Sequence, residues 1–309
     1  MKIAVLFPGQ GSQHPGMADP WESHPAGKQV LAEASEILGY DVIEAGRDER
    51  RLAQTDVVQP LLFACDLAAF RVLEAEGLSF EMTAGHSLGE FAALTAAGAL
   101  PMEQAIEAVI ERGLAMQEAS DVTPGGMTAL VGLSPDEAAE VCAIAGRGDV
   151  LTVANENSPK QTVLSGSIPA VERAEELARS RKVKAVRLKV AGAFHSKLME
   201  PALPRVRTAI ARLDFAEPRI AVVPNASGKP TTQPSALRDL LSRHLVSPVR
   251  WERSMRAMAE AGVLLFVEAG PGEVLSKLVK RCVPGARAIA VGTPDEARSA
   301  ATEIREGAR

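Results

Sequence analysis

Short apolar runs alternate along this chain with longer segments in which apolar residues recur at helical spacing. Residues 3–7 (IAVLF) form one such run and predict a buried strand over 2–7. Between Gln59 and Glu76 the apolar positions form a broad stripe, which predicts a helix with Pro60 at its start. Alternating strands and helices are typical of an α/β protein with a largely parallel sheet.

The same alternation covers most of the sequence on both sides of its middle third. A short strand is predicted at 82–84, followed by helices over 88–97 and 102–118. Further along, the predicted strands cover 220–223, 263–267 and 288–291, and the predicted helices cover 197–213, 235–244, 251–261, 272–280 and 295–306.

The middle third has a different order of elements. From the turn at Thr123–Gly126 onwards, the pattern predicts strand, helix, two strands, helix and strand up to Val190. This β-α-β-β-α-β order over about 65 residues is that of the ferredoxin-like unit. We therefore expect an inserted α+β subdomain at 124–191, with the larger α/β domain formed by 1–123 and 192–309.

Composition and charge narrow the class of function. The chain has 309 residues and a net charge of −5, which argues against general nucleic-acid binding, since neutralising phosphates requires a basic surface. No apolar run approaches the roughly 20 residues of a membrane-spanning helix, and the run after Lys2 is too short for a signal-peptide core. Cys65, Cys142 and Cys282 lie far apart without metal-ligand spacing, so we expect reduced thiols, no metal site and a cytoplasmic protein.

Residues 85–90 (GHSLGE) fit the nucleophile-elbow pattern G-x-S-x-G of hydrolase-like α/β domains. A predicted strand precedes the motif and a predicted helix follows it, which is the context that the pattern requires. The two glycines remove side chains that would clash in a strained turn. Ser87 would then project at a helix N-terminus, where the helix dipole favours negative charge. A Gly-rich turn without chemistry is the alternative interpretation.

A serine nucleophile requires a base, and the chain has only five histidines. His195 follows the last strand of the predicted subdomain and precedes a helix, and functional side chains collect at such strand ends. It is therefore the favoured base, although an ordinary surface histidine is the alternative. No acid stands out as a third member of a triad, so a backbone carbonyl is a candidate for orienting the imidazole.

Two further features acquire meaning only beside a nucleophile. The loop 8–13 (PGQGSQ) lacks the spacing of nucleotide-binding motifs, but its glycines allow a backbone N–H to approach the serine, as in an oxyanion hole; a plain tight turn is the alternative. Arg112 has Val109 and Met116 as helical neighbours. It is either a surface residue with a buried stem or a buried cation that binds a substrate carboxylate.

These residues coincide with the motifs of a known family. The chain resembles malonyl-CoA:acyl carrier protein transacylases and the acyltransferase domains of polyketide synthases over nearly its whole length. The shared motifs are FPGQGSQ (7–13), TDVVQP (55–60), GHSLGE (85–90), ERG-x-x-M (111–116), NSP-x-Q (157–161), GAFHS (192–196), SPVRW (247–251) and EAGPG (268–272).

The resemblance implies that Ser87, activated by His195, takes malonyl from coenzyme A and passes it to the phosphopantetheine thiol of an acyl carrier protein. It also implies that coenzyme A thioester is a substrate and that no cofactor is tightly bound. The remaining roles that it implies are oxyanion donors at the amides of Gln10 and Leu88, a carboxylate-binding Arg112, a histidine-orienting carbonyl at His244, and acyl-pocket positions at Gln59, Asn157, Gln161 and Phe194.

Two other functions stay open from the residues themselves. A serine esterase or thioesterase would share the elbow, but its histidine usually comes last in the chain, whereas 114 residues follow His195. A non-catalytic scaffold that binds carrier proteins is the second alternative. Basic residues at 182, 184, 187 and 189 either form a docking surface for an acidic carrier protein or are a solvated strand face.

Overall fold

The structure, a computed structural model, describes residues 2–307. Its strands are β1 (Lys2–Phe7), β2 (Met82–Gly85), β3 (Gly125–Val131), β4 (Leu151–Ser158), β5 (Gln161–Ser167), β6 (Lys184–Arg187), β7 (Ala221–Val222), β8 (Val263–Ala269) and β9 (Arg287–Val291). Its α-helices are α1 (Pro25–Leu38), α2 (Val42–Arg47), α3 (Glu49–Leu52), α4 (Thr55–Ala75), α5 (Gly89–Ala96), α6 (Met102–Val122), α7 (Pro135–Gly146), α8 (Ile168–Ser180), α9 (Leu203–Ala211), α10 (Pro234–Arg243), α11 (Trp251–Glu260), α12 (Val274–Cys282) and α13 (Pro294–Gly307).

A parallel sheet with strand order β7-β2-β1-β8-β9 forms the centre of the larger domain. The middle strand β1 is buried from Ile3 to Phe7, because helices cover both faces of the sheet. Its apolar run is therefore continuous rather than alternating, as the sequence indicated. The predicted α/β class is confirmed, and the carboxyl ends of β1 and β2 meet at the edge that carries the loop 8–13 and the elbow.

A second, antiparallel sheet contains the four strands of the middle third in the order β4-β5-β3-β6. Counted within this unit, the order is second, third, first, fourth, and helices α7 and α8 pack on the sheet around Leu130 and Leu164. The ferredoxin-like unit is confirmed, while the exact boundaries at 124 and 191 remain a prediction. Backbone hydrogen bonds of 2.8 Å join Ala154 and Glu156 on β4 to Val249 of the larger domain.

The structure differs from the sequence predictions in three regions. Helix α4 begins at Thr55, five residues before Pro60, which lies in its second turn. Helices α1, α2 and α3 were not predicted; α1 begins at Pro25, and the Nδ1 atom of His24 accepts a hydrogen bond from the Ala26 amide. The single helix expected over 197–213 is divided into a 3₁₀ helix, Lys197–Ala202, and α9, because Pro201 and Pro204 remove backbone donors.

A pair of buried carboxyl groups lies beneath the parallel sheet's carboxyl edge. Glu268 of β8 accepts hydrogen bonds from the amides of Leu275 (2.9 Å) and Ser276 (2.7 Å) at the start of α12. Asp66 of α4 is fully buried, and neither of its oxygens has a hydrogen-bond partner within residues 2–307. Burial, with a further contribution from the charge of Glu268, raises the pKa of Asp66 well above its usual range. Asp66 is therefore protonated over more of the pH range than an exposed aspartate.

This burial predicts that Asp66→Asn stabilises the fold at alkaline pH. A raised folded-state pKa means that the native carboxyl contributes its full stability only at acid pH and loses it as the pH rises through that pKa. The neutral amide avoids this loss, so we expect the Tm at pH 8 to exceed that of the native protein by a few degrees, with a smaller difference at pH 5. Thermal unfolding followed by circular dichroism measures both values, and exposed Asp121→Asn on α6 is the control. A difference that does not depend on pH would contradict the assignment.

Candidate active site

The elbow turn is shaped by two glycines that admit no side chain. A Cβ atom at Gly85 would overlap the carbonyl of Gly89, and a Cβ atom at Gly89 would overlap the carbonyl of Phe7 at the end of β1. In this crowded turn Ser87 has φ +52°, a left-handed conformation that non-glycine residues rarely adopt. The strand-turn-helix geometry expected of a nucleophile elbow is present, with Ser87 between β2 and α5.

Ser87 and His195 are in direct contact, with 2.8 Å between Oγ and Nε2. His195 is 3% exposed and also has a left-handed backbone, with φ +57°. Its Nδ1 atom lies 3.1 Å from the carbonyl oxygen of His244 and 3.0 Å from that of Ser247. With a proton on Nδ1 that is donated to these carbonyls, Nε2 is left free to accept the serine proton.

The carbonyl contacts resolve the question of a third triad member within the described chain. Both hydrogen-bond partners of Nδ1 in residues 2–307 are backbone oxygens rather than a carboxylate. The contact with the His244 carbonyl was expected, and the Ser247 carbonyl is an additional partner that the sequence did not suggest. A role played by a backbone carbonyl cannot be predicted from the residue type, because every amino acid carries that group.

Burial keeps the His195 imidazole neutral. Removal from water, reinforced by the positive charge of Arg112 and by nearby His86, lowers the pKa of His195 to about 3, and the two carbonyls offset this only in part. A neutral imidazole is the form that accepts a proton. The low pKa also makes the imidazole a weak base in the free protein, and the charge of Arg112 adds to this weakness.

Arg112 of α6 is buried, at 1% exposure, so the interpretation as a surface residue is wrong. Its Nη2 atom donates to Ser87 Oγ at 3.1 Å, and its Nη1 atom donates to Gln59 Oε1 at 2.5 Å. The Nε2 atom of Gln59, on α4, donates to the sulfur of Met116 on α6 at 3.4 Å, which fixes the Gln59 side chain. Burial lowers the pKa of Arg112 to about 10, which leaves the guanidinium charged at neutral pH. Within residues 2–307 its hydrogen-bond partners are Gln59 and Ser87 rather than a carboxylate, although the buried Glu90 carboxyl acts on its charge at longer range.

The loop 8–13 packs against the elbow. A Cβ atom at Gly9 would overlap the carbonyl of His86 and lie 3.7 Å from the amide nitrogen of Leu88. The amides of Gln10 and Leu88, the two expected oxyanion donors, have no backbone acceptor among the described residues. Leu88 directly precedes α5, whose dipole adds to the positive potential there.

A cavity of about 450 Å³ opens beside this loop and is lined by residues of both the larger domain and the antiparallel sheet. His86, which lines it, has its Nε2 atom 2.9 Å from Asn157 Oδ1. Of the expected acyl-pocket residues, the structure places Asn157 and Gln161 on this cavity and Gln59 on Arg112, and the expected oxyanion donor Gln10 also lines the cavity. Phe194 is 5% exposed and packs in the core beside Gly192 rather than lining the cavity.

Sequence reasoning missed one side chain that touches the nucleophile's backbone. The Oδ1 atom of Asn225 accepts a hydrogen bond from the Ser87 amide at 2.7 Å. Asn225 follows β7 in a turn of the sequence PNAS, and asparagine in a turn is too common to indicate a site.

In residues 2–307 no helix is long and apolar enough to cross a membrane. The same residues contain no cluster of three side chains suited to a metal ion.

An elbow serine, a neutral imidazole and a buried guanidinium at the carboxyl edge of a parallel sheet define a serine-dependent acyl-transfer enzyme. A model of the acyl transferase domain matches residues 5–303, and the chain belongs to this family. It is 40% identical over 309 residues to the malonyl CoA-acyl carrier protein transacylase of Escherichia coli (strain K12), covering 98% of this chain and 99% of that protein.

Solved structures agree with this membership. The malonyl CoA-acyl carrier protein transacylase from Coxiella burnetii has a TM-score of 0.95 at 37% identity and is matched over 98% of both chains. A second structure, of a type II PKS acyl-carrier protein in complex with its malonyl-transacylase, has a TM-score of 0.93 at 36% identity, with 98% of this chain and 100% of that chain covered. The expected family is confirmed.

The lowered pKa of His195 predicts an unusual pH dependence of Ser87 reactivity. Because the neutral imidazole is the active form, lowering its pKa moves the acid limb of the rate below the ordinary histidine value of about 6.5. We expect the rate of Ser87 sulfonylation by phenylmethylsulfonyl fluoride to change less than about twofold between pH 8 and pH 5. Peptide mass spectrometry measures the modification, with Ser87→Ala as the unlabelled control. A half-maximal rate near pH 6.5 would contradict the buried, neutral base.

Proposed function

We propose that Ser87 carries a malonyl group from coenzyme A to the phosphopantetheine thiol of an acyl carrier protein in a two-step, ping-pong reaction. The observation that carries this proposal is the buried guanidinium of Arg112, which lies 3.1 Å from Ser87 Oγ and has no carboxylate in ion-pair contact within residues 2–307. A buried cation without a carboxylate partner is costly unless a ligand supplies the negative charge. A malonyl group has a free carboxylate at its far end, which meets this requirement.

In the first half-reaction Ser87 Oγ attacks the thioester carbonyl while its proton moves to His195 Nε2. The amides of Gln10 and Leu88 donate to the oxygen that becomes negatively charged in the tetrahedral intermediate. The carbon–sulfur bond then breaks, and His195 returns the proton to the sulfur of coenzyme A. The His244 and Ser247 carbonyls stabilise the imidazolium that forms in between.

In the second half-reaction the thiol of the carrier protein's phosphopantetheine takes the place of coenzyme A. His195 accepts the thiol proton, the sulfur attacks the malonyl-serine ester, and the carbon–oxygen bond breaks. The proton on Nε2 then passes to Ser87 Oγ, so the enzyme returns to its initial state. We assign the cavity beside loop 8–13 to the pantetheine arm, with Asn157 and Gln161 as its polar contacts.

The charge balance of these steps is complete without a tightly bound cofactor, since a nucleophile, a base, two amide donors and a carboxylate-binding cation suffice. Gln59 fixes the orientation of Arg112 through its 2.5 Å hydrogen bond. Phe194 acts indirectly, as part of the packing behind His195. The catalytic domain comprises 1–123 and 192–309, and 124–191 forms the other wall of the cavity. The free, buried or half-buried thiols support a cytoplasmic location.

The proposal predicts that Arg112→Ala loses the preference for malonyl over acetyl groups. Loss of the charge-assisted contact removes the malonyl preference. The transition state for malonyl-CoA should lose about 2–5 kcal/mol of stabilisation, so kcat/KM is expected to fall by a factor of roughly 30 to 5,000. Acetyl-CoA has no carboxylate to lose, so its rate relative to malonyl-CoA should rise. Steady-state transfer from both thioesters measures the ratio. Arg71→Ala, which changes an exposed arginine on α4, is the matched control, and an unchanged ratio in Arg112→Ala would contradict the role.

A labelling experiment separates transfer from hydrolysis and from a scaffold role. The native protein is incubated with malonyl-CoA, digested and examined by mass spectrometry, and holo carrier protein is then added. We expect a malonyl adduct on Ser87 that moves to the carrier protein. Rapid release as free malonate would support a thioesterase, and no adduct would support a non-catalytic scaffold.

The carrier protein is expected to contact the basic residues on and beside β6, at positions 182, 184 and 189. Lys184 and Lys189 are exposed, and Lys189 also lines the cavity. Arg187 is occupied by Glu175 at 2.7 Å, so it contributes less free charge. Lys182→Glu with Lys184→Glu changes two exposed lysines outside the cavity lining, and should raise KM for an acidic carrier protein several-fold at low salt while leaving malonyl-Ser87 formation unchanged. Exposed Lys229→Glu is the control, and equal effects on both half-reactions would contradict a docking role.

A further inference from the structure

We propose that Asn225 is a positioning residue that holds the nucleophile elbow in its reactive conformation, an inference that rests on the function proposed for Ser87. Asn225 is 1% exposed and lies three residues after the end of β7. Its side chain makes two hydrogen bonds to the elbow, and its backbone makes a third to the helix behind the elbow. None of these contacts reaches the substrate directly.

The side-chain amide of Asn225 bridges the two ends of the turn. Its Oδ1 atom accepts from the Ser87 amide at 2.7 Å, and its Nδ2 atom donates to the Gly85 carbonyl at 2.6 Å. One acceptor and one donor on a single planar group therefore match one donor and one acceptor of the backbone. Among the natural side chains of this length, only an amide or a protonated carboxyl offers that pair.

The two side-chain hydrogen bonds of Asn225 come directly after the last backbone pairing between β2 and β7. Strands β2 and β7 pair at Met82 and Thr83, and the Val223 amide still donates to the Thr83 carbonyl at 2.9 Å. Beyond that point the chain turns away, and the polar groups of Gly85 and Ser87 would lack partners from β7. The side chain of Asn225 replaces the missing backbone, because buried backbone groups are costly when they are left unpaired.

A third contact fixes Asn225 itself. Its backbone amide donates to Glu90 Oε2 at 2.9 Å, and Glu90 lies in the first turn of α5 at 1% exposure. Burial raises the pKa of Glu90 to about 7, while the Asn225 amide and the positive charge of Arg112 oppose the increase. The turn after β7 is thus connected to the strand before the nucleophile, to the nucleophile and to the helix after it.

The consequence concerns the left-handed backbone of Ser87. A residue at φ +52° returns to an ordinary conformation unless its surroundings hold it. Rotation at Ser87 would move Oγ away from His195 and would turn the Leu88 amide away from the oxyanion. Loss of Asn225 should therefore slow bond formation at Ser87 in both half-reactions and leave the affinity for malonyl-CoA unchanged.

The test compares Asn225→Ala with Asn225→Asp across pH. The readout is Ser87 sulfonylation by phenylmethylsulfonyl fluoride, expressed at each pH as a ratio to the native protein so that the titration of His195 cancels. A protonated carboxyl at this position reproduces both side-chain hydrogen bonds, whereas an ionised carboxyl cannot donate to Gly85. We expect Asn225→Ala to be 10- to 100-fold slower at every pH, and the ratio for Asn225→Asp to rise at least fivefold from pH 8 to pH 5.5.

Controls separate this effect from misfolding and from neighbouring titrations. Ser227→Ala changes the same turn, where the hydroxyl contacts Pro224 and Lys229, and should react like the native protein. Glu90 has a pKa of about 7, inside the pH range of the experiment, and the charge of Arg112 acts on it. The pH series is therefore repeated with Asn225→Asp in a Glu90→Gln background. Malonyl-CoA affinity is measured in the Ser87→Ala background, with and without Asn225→Ala, and should not change.

Two results would overturn the positioning role. One is a reaction rate of Asn225→Ala within twofold of the native rate, and the other is a ratio for Asn225→Asp that stays as flat as that of Asn225→Ala. The sulfonylation readout does not use malonyl-CoA or a carrier protein. Failure of the proposed acyl transfer would therefore leave the reactivity of Ser87 measurable, and the two failures are distinguishable.

Discussion

The crowding of the turn between β2 and α5 is the constraint on which the site depends. Gly85 and Gly89 lie so close to neighbouring backbone that no side chain fits, and this packing leaves Ser87 in a left-handed conformation. The strain directs Oγ out of the turn and the Leu88 amide toward the same space. Strain of this kind persists only where the surroundings hold it. Here β1 supplies the packing surface, and the turn after β7 supplies the hydrogen bonds.

Much of the site could be predicted because its chemistry is concentrated in residue types that are rare or positioned by motif. The G-x-S-x-G pattern between a strand and a helix identifies Ser87. With five histidines in the chain, a strand-end position is enough to favour His195. For Arg112, the apolar neighbours indicated that burial was an option, but only packing against Gln59 and Ser87 decides between a snorkelling and a buried guanidinium.

The rest could not be predicted, because it depends on backbone atoms and on contacts between distant segments. The carbonyls that orient His195 come from residues 49 and 52 positions away, and their side chains carry no signal. Asn225 meets Ser87 across 138 positions through an ordinary turn residue. Helix α1 and the division of the 197–213 segment were missed for a local reason, since prolines set helix boundaries there that apolar periodicity alone does not show.

Burial of the base and the cation in one site makes proton transfer depend on the substrate. Burial, and after it the charge of Arg112, lowers the pKa of His195, and that low pKa makes the free imidazole a weak base. In the proposed reaction a malonyl carboxylate bound to the guanidinium would offset the part of the shift that comes from Arg112, while the larger part, which comes from burial, would remain. In that reaction an acyl group without a carboxylate would leave the charge of Arg112, and its share of the His195 shift, in place. In the proposed reaction Arg112 would therefore act on both binding and catalysis, and its selectivity would be expressed at the reacting serine.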